Sequence, residues 1–301
     1  MIDIREIIAV IMIALGILFL VISAVGMLRL PDFYSRLHAS GNSETLGMML
    51  MLLGSVNFVL HSEIWKGHVA VFFRDLEIRT MVLWLAVMTC VFAASLSASL
   101  NFSDLPAMLR RGGFMVISAF STTGFQNITT NQLTTVFSSG AFVAIALIMA
   151  VGGASGSTSG GVKFSRVGII FKSIVSTIKE ALAPDSARVA VAYNHVGRRM
   201  LSPVIVKEAM TVFILYVITY VIGALVGIAH GYEATPAIFE SVAMASNGGV
   251  TTGLATAGMP MSLELFYIFQ MWAGRLEFVT LLALLVEIVV SFNPRRRAKQ
   301  S

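Results

Sequence analysis

Two short polar segments of an otherwise apolar chain carry residue types that could hold a metal cation. They are STTGF, residues 121–125, and SNGGV, residues 246–250. A cation that leaves water needs oxygen atoms in place of its hydration shell, and extended backbone with small or hydroxyl side chains offers carbonyl oxygens at that range. Glycine lets successive carbonyls of such a segment point one way. The predicted cation site comprises Ser121, Thr122, Thr123, Gly124, Phe125, Ser246, Asn247, Gly248, Gly249 and Val250.

The two polar segments occupy equivalent places in an internal repeat. ISAFSTTGF, residues 117–125, aligns with VAMASNGGV, residues 242–250. MAVGG and MWAGR, residues 149–153 and 271–275, then align at nearly the same spacing. The sequence therefore predicts that a unit of span, half-helix, polar loop and span occurs twice.

A glycine-rich stretch interrupts one apolar span and is the candidate gate. Glycine costs about 1 kcal/mol relative to alanine inside a helix, and serine competes for backbone hydrogen bonds, so the helix must break there. Arg275, inside the last span, is a candidate functional residue because a charge within a bilayer is costly. The predicted gate comprises Gly152, Gly153, Gly156, Ser157, Gly160, Gly161, Lys163 and Arg275.

Each of these assignments has a structural alternative. The two polar segments could be ordinary turns between spans, with their polar groups satisfied by water. Arg275 could form a buried ion pair with Glu277 or Glu287, or extend to the headgroups. Lys163 could simply mark the cytoplasmic end of the broken helix.

The elements that must position these residues are apolar helices. Of the 301 residues, 56% are hydrophobic and 12% charged, which predicts an integral membrane protein. The predicted fold class is all-α, with six transmembrane helices and two re-entrant pore half-helices, at about 106–120 and 236–245, whose two repeats follow a two-helix hairpin. The half-helices would direct their negative C-terminal ends at the polar segments. The predicted spans are Ile7–Leu28, Thr45–Leu60, Thr80–Leu100, Val136–Phe171 with its glycine interruption, Ala209–Ala229 and Leu263–Phe292.

Basic residues set the expected orientation. The net charge of +5 comes with clusters after the glycine-rich stretch and in the tail NPRRRAKQ. The positive-inside rule places both in the cytoplasm, so we predict a multi-pass protein of the plasma membrane with a cytoplasmic C-terminus. Such clusters are typical of contact with lipid headgroups, and no nucleic-acid partner is expected. Cys90 is predicted to be a packed thiol without a disulfide.

From about Trp65 to Pro294 the chain resembles the C-terminal half of the Trk/Ktr/HKT superfamily of potassium transporters, specifically their TrkH-like membrane subunits. The motifs that carry this resemblance are FFRDLEIR, ISAFSTTGF, GGASGSTSGGVK, NHVGRRMLSPVIV, FESVAMASNGGVTTGL and MWAGRLEFVTLLAL, in this order. The resemblance implies that the two polar segments are the third and fourth selectivity-filter segments, that Gly152–Lys163 is an intramembrane gating loop, and that Arg275 faces the pore. It also implies a cytoplasmic nucleotide-binding partner of the TrkA or KtrA kind.

The first sixty residues resemble a different family, the G subunit of multisubunit Mrp/Mnh sodium/proton antiporters. The motif that carries this resemblance is RLPDFYSRLHA, residues 29–39. Its characteristic residues are Arg29, Pro31, Asp32, Tyr34, Arg36, Leu37, His38 and Ala39. A proton-linked role for Asp32 or His38 and a plain helix-turn-helix connector are the two alternatives. Counting spans back from the cytoplasmic tail places the loop with Arg29 and Arg36 outside the cell. The positive-inside rule would instead place a basic loop in the cytoplasm. A fusion junction near His61 would account for the conflict.

The predicted organisation has five segments. They are an antiporter-like helical hairpin (1–61), a cytoplasmic connector (62–79), the first repeat (80–171), a cytoplasmic basic loop (172–208), and the second repeat with the basic tail (209–301). The resembled pore has four repeats around one axis, and this chain has two. We therefore expect either a second copy or a chain that supplies the two missing repeats.

The predicted function is transport of a monovalent cation, potassium or else sodium, as the membrane pore subunit of a Trk-type uptake system. No enzymatic activity and no covalently bound cofactor are expected. One alternative is a subunit of a sodium/proton antiporter, with other antiporter subunits as partners. A second alternative is a non-conducting membrane scaffold or regulatory half-transporter.

Overall fold

The computed structural model describes residues 46–98, 105–127, 138–184, 190–256 and 258–291. The chain divides into two compact units, residues 1–53 and 54–301, and the second contains nearly all of the described residues. This described part is predominantly α-helical and includes a short antiparallel β-hairpin.

The elements are numbered in chain order and are compared with the two predicted repeats. Helices α1 (Leu46–Ser55), α2 (Phe58–Trp65) and α3 (Val69–Arg74) come first. The first repeat holds α4 (Leu76–Ala98), α5 (Leu105–Phe120) and α6 (Ser139–Ala150), and α7 (Phe164–Leu182) follows the glycine-rich stretch. Strands β1 (Ala192–Asn194) and β2 (Arg198–Met200) lead to α8 (Pro203–Ala229), α9 (Ala234–Ala245), α10 (Met261–Arg275) and α11 (Val279–Ser291).

Polar residues fix where three of the helices begin. The Asp75 carboxylate accepts a hydrogen bond from the backbone N–H of Glu77 at 2.8 Å, in front of α4. Ser138 caps α6, and Ser202 caps α8, whose first residue is Pro203. Such caps satisfy N–H groups that the helix leaves without partners, and proline is favoured at the first position.

In each predicted repeat the half-helix packs against the helices that precede and follow it in the sequence. α5 contacts α4 and α6, and α9 contacts α8 and α10. The repeats are joined because α9 also packs on α6, where the rings of Phe142 and Phe239 meet edge to face with centroids 5.5 Å apart. α7 packs against both α4 and α8. This arrangement brings the C-terminal ends of α5 and α9 to the glycine-rich stretch.

Of the six predicted spans, Ile7–Leu28 lies outside the described residues, and the described helices give fewer continuous spans than the remaining five. Leu76–Leu96 and Pro203–Ala229 are each long and apolar enough to cross a membrane, and a third span results if α1 and α2 count as one broken span. The predicted span Thr45–Leu60 is interrupted because the Asn57 side chain accepts from the N–H of Val59 at 2.9 Å and starts a new helix.

The last predicted span, Leu263–Phe292, is also divided. α10 ends at Arg275 and α11 begins at Val279. Between them Glu277 and Phe278 have φ of 56° and 51°, in the left-handed region that side chains rarely adopt. A single continuous helix was expected there, and the structure replaces it with a break next to the predicted gate arginine.

The outward faces of the long helices are apolar and exposed. On α4 the exposed side chains include Val82, Leu83, Val87 and Val91. Cys90 is exposed on the same helix, so the prediction of a packed thiol is wrong. An apolar face of this extent on a helix long enough to span a bilayer is what lipid or a partner helix would cover.

Candidate cation site and gate

The two predicted filter segments form the same turn. Each segment begins directly after the last residue of α5 or α9. In both segments the N–H groups of the first, second and third residues donate to the carbonyls of residues four, three and five positions earlier in the chain. Thr122 and Asn247 have φ of 50° and 54°, and Gly124 and Gly249 have φ of 84° and 71°. These bonds satisfy carbonyls that the helix end leaves free. The two turns therefore share one backbone geometry, as the aligned sequences predict.

The two turns lie side by side and touch at their glycines. A Cβ atom on Gly124 would lie 2.7 Å from the Cα of Gly249, and one on Gly249 would lie 2.9 Å from the Cα of Gly124. The Gln126 amide donates to the carbonyl of Thr251 at 2.9 Å and accepts from its N–H at 3.4 Å. Only glycine permits this approach, so the two turns form one continuous wall.

A buried carboxylate that the sequence reasoning missed supports the second turn. Glu240, on α9, is fully buried, and its Oε1 accepts from the hydroxyl of Thr251 at 2.6 Å. The same oxygen accepts from the N–H of Thr252 at 2.6 Å and from its hydroxyl at 2.8 Å. The available signal was a single acidic residue within the apolar half-helix FESVAMA, since buried charges in membranes are rarely without a role.

The glycine-rich stretch packs against both turns. A Cβ atom on Gly152 would lie 2.2 Å from the carbonyl oxygen of Gly160, and one on Gly160 would lie 1.9 Å from that of Ser246. The N–H of Gly160 donates to the Thr122 hydroxyl at 2.7 Å. These contacts require glycine because backbone meets backbone. The stretch is therefore a folded loop in direct contact with the ends of α5 and α9.

A cavity of about 230 Å³ borders this loop. Of the predicted gate residues, it is lined by Gly156, Ser157, Gly160, Gly161, Lys163 and Arg275. The two remaining ones, Gly152 and Gly153, are buried. The structure therefore brings six of the eight predicted gate residues together around one space.

The two cations of the predicted gate have different surroundings. Arg275 is exposed, and its Nη1 donates to the carbonyl of Thr158 at 3.2 Å. Glu277 pairs with Arg166 instead, so the alternative of an Arg275–Glu277 ion pair is wrong. Lys163 is buried and its Nζ donates to the carbonyl of Ser159, inside the loop.

Fold and site together define the class as a predominantly α-helical membrane protein in which two equivalent helix–turn units meet over a glycine-rich loop. The crystal structure of the potassium transporter TrkH from Vibrio parahaemolyticus has this fold. The two structures superpose with a TM-score of 0.70 at 20% sequence identity, over 90% of this chain and 63% of the TrkH chain.

Sequence comparison gives relatives of the same kind. The chain is 30% identical over 236 residues to an uncharacterized cation transporter of Methanocaldococcus jannaschii, covering 78% of this chain and 46% of that protein. It is 29% identical over 259 residues to the Trk system potassium uptake protein TrkH of Halomonas elongata, covering 83% of this chain and 50% of that protein. The chain thus spans about half the length of these relatives. These relatives are transport proteins by name, and none is named as an enzyme.

The N-terminal segment matches a second family. The profile of a Na+/H+ antiporter subunit family matches residues 12–101. The segment is 43% identical over 56 residues to the Na(+)/H(+) antiporter subunit G1 of Staphylococcus saprophyticus, covering 19% of this chain and 48% of that subunit. The chain is therefore similar to TrkH proteins over most of its length and to an antiporter G subunit at its start, as predicted. The motif residues Arg29, Pro31, Asp32, Tyr34, Arg36 and His38 lie outside the described residues.

Proposed function

We propose that this chain is a pore-forming membrane subunit for a monovalent cation, potassium, in a Trk-type uptake system assembled from at least two chains. The observation that carries the proposal is the shared backbone geometry of the turns that follow α5 and α9. Two copies of one turn, in contact, would supply part of a ring of carbonyl ligands around an ion, and further chains would supply the rest. The names of the TrkH relatives support potassium as the ion.

The lengths of α5 and α9 support a re-entrant arrangement. They have 16 and 12 residues, which at about 1.5 Å per residue is shorter than the roughly 30 Å of a hydrocarbon core. Each would enter the membrane, present its negative C-terminal end to the ion, and return as an extended segment. If α6 with α7, and α10 with α11, each count as one broken span, both proposed repeats have the same order. Residues 80–171 and residues 209–301 then each consist of a span, a half-helix and a second span.

The proposed gate consists of the glycine-rich loop and Arg275. The loop touches both turns, and the arginine holds the Thr158 carbonyl at the rim of the cavity behind it. A positive charge on the ion's path raises the barrier to cations. Movement of the loop would open the path, and a cytoplasmic nucleotide-binding subunit acting on the basic segment around residues 172–208 would control that movement.

Potassium uptake by cells that lack their own uptake systems tests the proposal. Gly124→Ala and Gly249→Ala should each lower uptake by about tenfold or more, because a barrier increase of about 1.4 kcal/mol already has that effect. Gly231→Ala is the matched control: Gly231 has a similar φ of 89°, but a Cβ atom there would meet nothing within 4 Å. Equal uptake by all three variants would reject the filter assignment.

A second candidate function is that of a sodium/proton antiporter subunit. The match of residues 12–101 to that family favours it. In that case deletion should reduce sodium and alkali tolerance, and Asp32→Asn or His38→Gln should reproduce the loss while Gly249→Ala should not. The opposite pattern, with potassium uptake sensitive to Gly249 alone, would favour the pore.

A further inference from the structure

Three metal-ligating side chains from distant parts of the sequence meet next to the glycine-rich loop. They are Asp75 and Glu77, at the start of α4, and His195, in the turn of the β-hairpin. His195 Nδ1 lies 3.5 Å from Asp75 Oδ2 and 3.8 Å from Glu77 Oε2, and all three atoms lie within 4.8 Å of one another. Both carboxylates are buried, and the imidazole is partly exposed.

Two of these atoms are buried without a hydrogen-bond partner. Glu77 is fully buried; its Oε1 accepts from the N–H groups of Ser155 and Ser165. Its Oε2 and His195 Nδ1 have no hydrogen-bond partner within the part of the chain that the structure describes. Buried polar atoms are rarely left unpaired. The two atoms face each other at 3.8 Å, too far for a hydrogen bond but close to the spacing of neighbouring ligands around a metal ion.

We propose that Asp75, Glu77 and His195 form a binding site for a divalent transition-metal ion of the zinc type. Zn²⁺ binds imidazole nitrogen and carboxylate oxygen at about 2.0–2.2 Å, so small side-chain movements would bring all three atoms into range. Water can occupy the remaining positions, because the His195 side chain is partly exposed. The combination of nitrogen with oxygen ligands distinguishes this site from the all-oxygen sites of calcium and magnesium.

Charge favours a divalent ion over a proton at this site. A protonated His195 supplies one positive charge against two carboxylates. A divalent ion with a neutral imidazole balances both, and it would displace the imidazole proton.

The site connects the β-hairpin to the glycine-rich loop. The N–H of Val196 donates to Asp75 Oδ2 at 2.9 Å, and Val196 has a φ of 55°, which is costly for a β-branched residue. Glu77 holds Ser155 of the loop through its other oxygen. A bound ion would therefore fix the hairpin and the loop to the start of α4. Binding itself does not depend on whether the chain conducts ions.

Zinc binding by the purified full-length chain tests the site. The chain is purified in detergent with a histidine-free tag, and Zn²⁺ is measured by calorimetry and elemental analysis. We expect one ion per chain. Glu77→Gln and His195→Ala should each weaken the affinity by at least about tenfold, the lower end of losses seen even for residues that only orient ligands. Co²⁺ should give a visible absorption band in the native chain that both variants lack.

His230→Ala is the matched control, because His230 bonds to Ser262 and to the Val226 carbonyl, away from the site. Its affinity for Zn²⁺ should equal that of the native chain. Glu77→Gln could disturb the loop, whereas His195 lies at the open rim, so a folded His195→Ala variant that loses zinc supports the site by itself. A folded native chain that binds no zinc, or equal binding by His195→Ala, would overturn the proposal.

Discussion

Gly160 lies where the glycine-rich loop meets the second polar turn. A Cβ atom at this position would lie 1.9 Å from the carbonyl oxygen of Ser246, and backbone cannot move away as a flexible side chain can. Gly160→Ala should therefore lower the free energy of unfolding by about 1–3 kcal/mol or more, the usual cost of overpacking. Thermal unfolding of the native chain and the variant in detergent measures this loss of stability.

The control for this substitution is Gly113→Ala, within α5. A Cβ atom at Gly113 would meet nothing within 4 Å, and alanine in a helix is favoured over glycine by about 0.5–1 kcal/mol. This variant should melt at the same or a higher temperature than the native chain. If Gly160→Ala were as stable as Gly113→Ala, the contact between loop and turn would be contradicted.

Glu240 offers a second prediction at the scale of a single side chain. Glu240→Ala removes the acceptor for the N–H of Thr252 and for two hydroxyl groups, and an unsatisfied buried donor costs about 1–3 kcal/mol. The second turn should loosen, and the ratio of potassium to sodium uptake should fall. Glu240→Gln keeps an acceptor oxygen, so its ratio of potassium to sodium uptake should stay closer to that of the native chain than the ratio of Glu240→Ala. An unchanged ratio in Glu240→Ala would show that the carboxylate does not hold the turn.

Among the elements, the break between α10 and α11 depends on a contact with α8. The Tyr216 hydroxyl donates to the carbonyl of Gly274 at 2.8 Å, and the Tyr216 ring meets Phe278 edge to face with centroids 4.7 Å apart. Removing a buried hydrogen bond of this kind costs about 0.5–1.5 kcal/mol. Tyr216→Phe should therefore lower the unfolding temperature, measured by intrinsic fluorescence in detergent.

Tyr267→Phe is the comparison for this prediction. The Tyr267 hydroxyl is buried and has no hydrogen-bond partner among the described residues, so its removal should leave stability unchanged or raise it. The two variants delete the same atom from buried tyrosines of neighbouring helices. Equal effects on stability would mean that the bond from Tyr216 to Gly274 does not hold the break in place.

The short helices could be predicted from sequence, and the break could not. The predicted half-helices at about 106–120 and 236–245 became Leu105–Phe120 and Ala234–Ala245. Proline near each start and glycine after each end supplied the signals. At Glu277 and Phe278 the sequence contains neither glycine nor proline, and the left-handed backbone depends on contacts with a helix far away in the chain.

The same distinction applies to the site. The two polar turns and the loop could be located because glycine and hydroxyl residues cluster within short segments. The group of Asp75, Glu77 and His195 could not, although its residues lie in the motifs FFRDLEIR and NHVGRRM. More than a hundred positions separate the carboxylates from the imidazole. Only the packing of the β-hairpin against the start of α4 brings them together.

For the whole molecule, the contact between the two turns decides how an ion could be surrounded. Because the turns touch at Gly124 and Gly249 and leave no gap between them, they would form only one side of the proposed passage. Thr123 and Gly249 are exposed, and Phe125 is 61% exposed, so this wall has an open side. Replacing a hydration shell from one side only would leave the ion partly without ligands.

Assembly is therefore the prediction that belongs to this scale. A second copy facing the first, or a chain that supplies two further repeats, would complete the ring and cover apolar side chains such as Phe125. Native mass spectrometry of the complex extracted in mild detergent should give either twice the mass of one chain or a stable complex with a second membrane protein. Phe125→Glu should shift that mass toward the single chain, because a carboxylate in an apolar contact costs several kcal/mol. A native chain that is solitary yet still takes up potassium would mean that the oxygens around the ion do not come from facing chains.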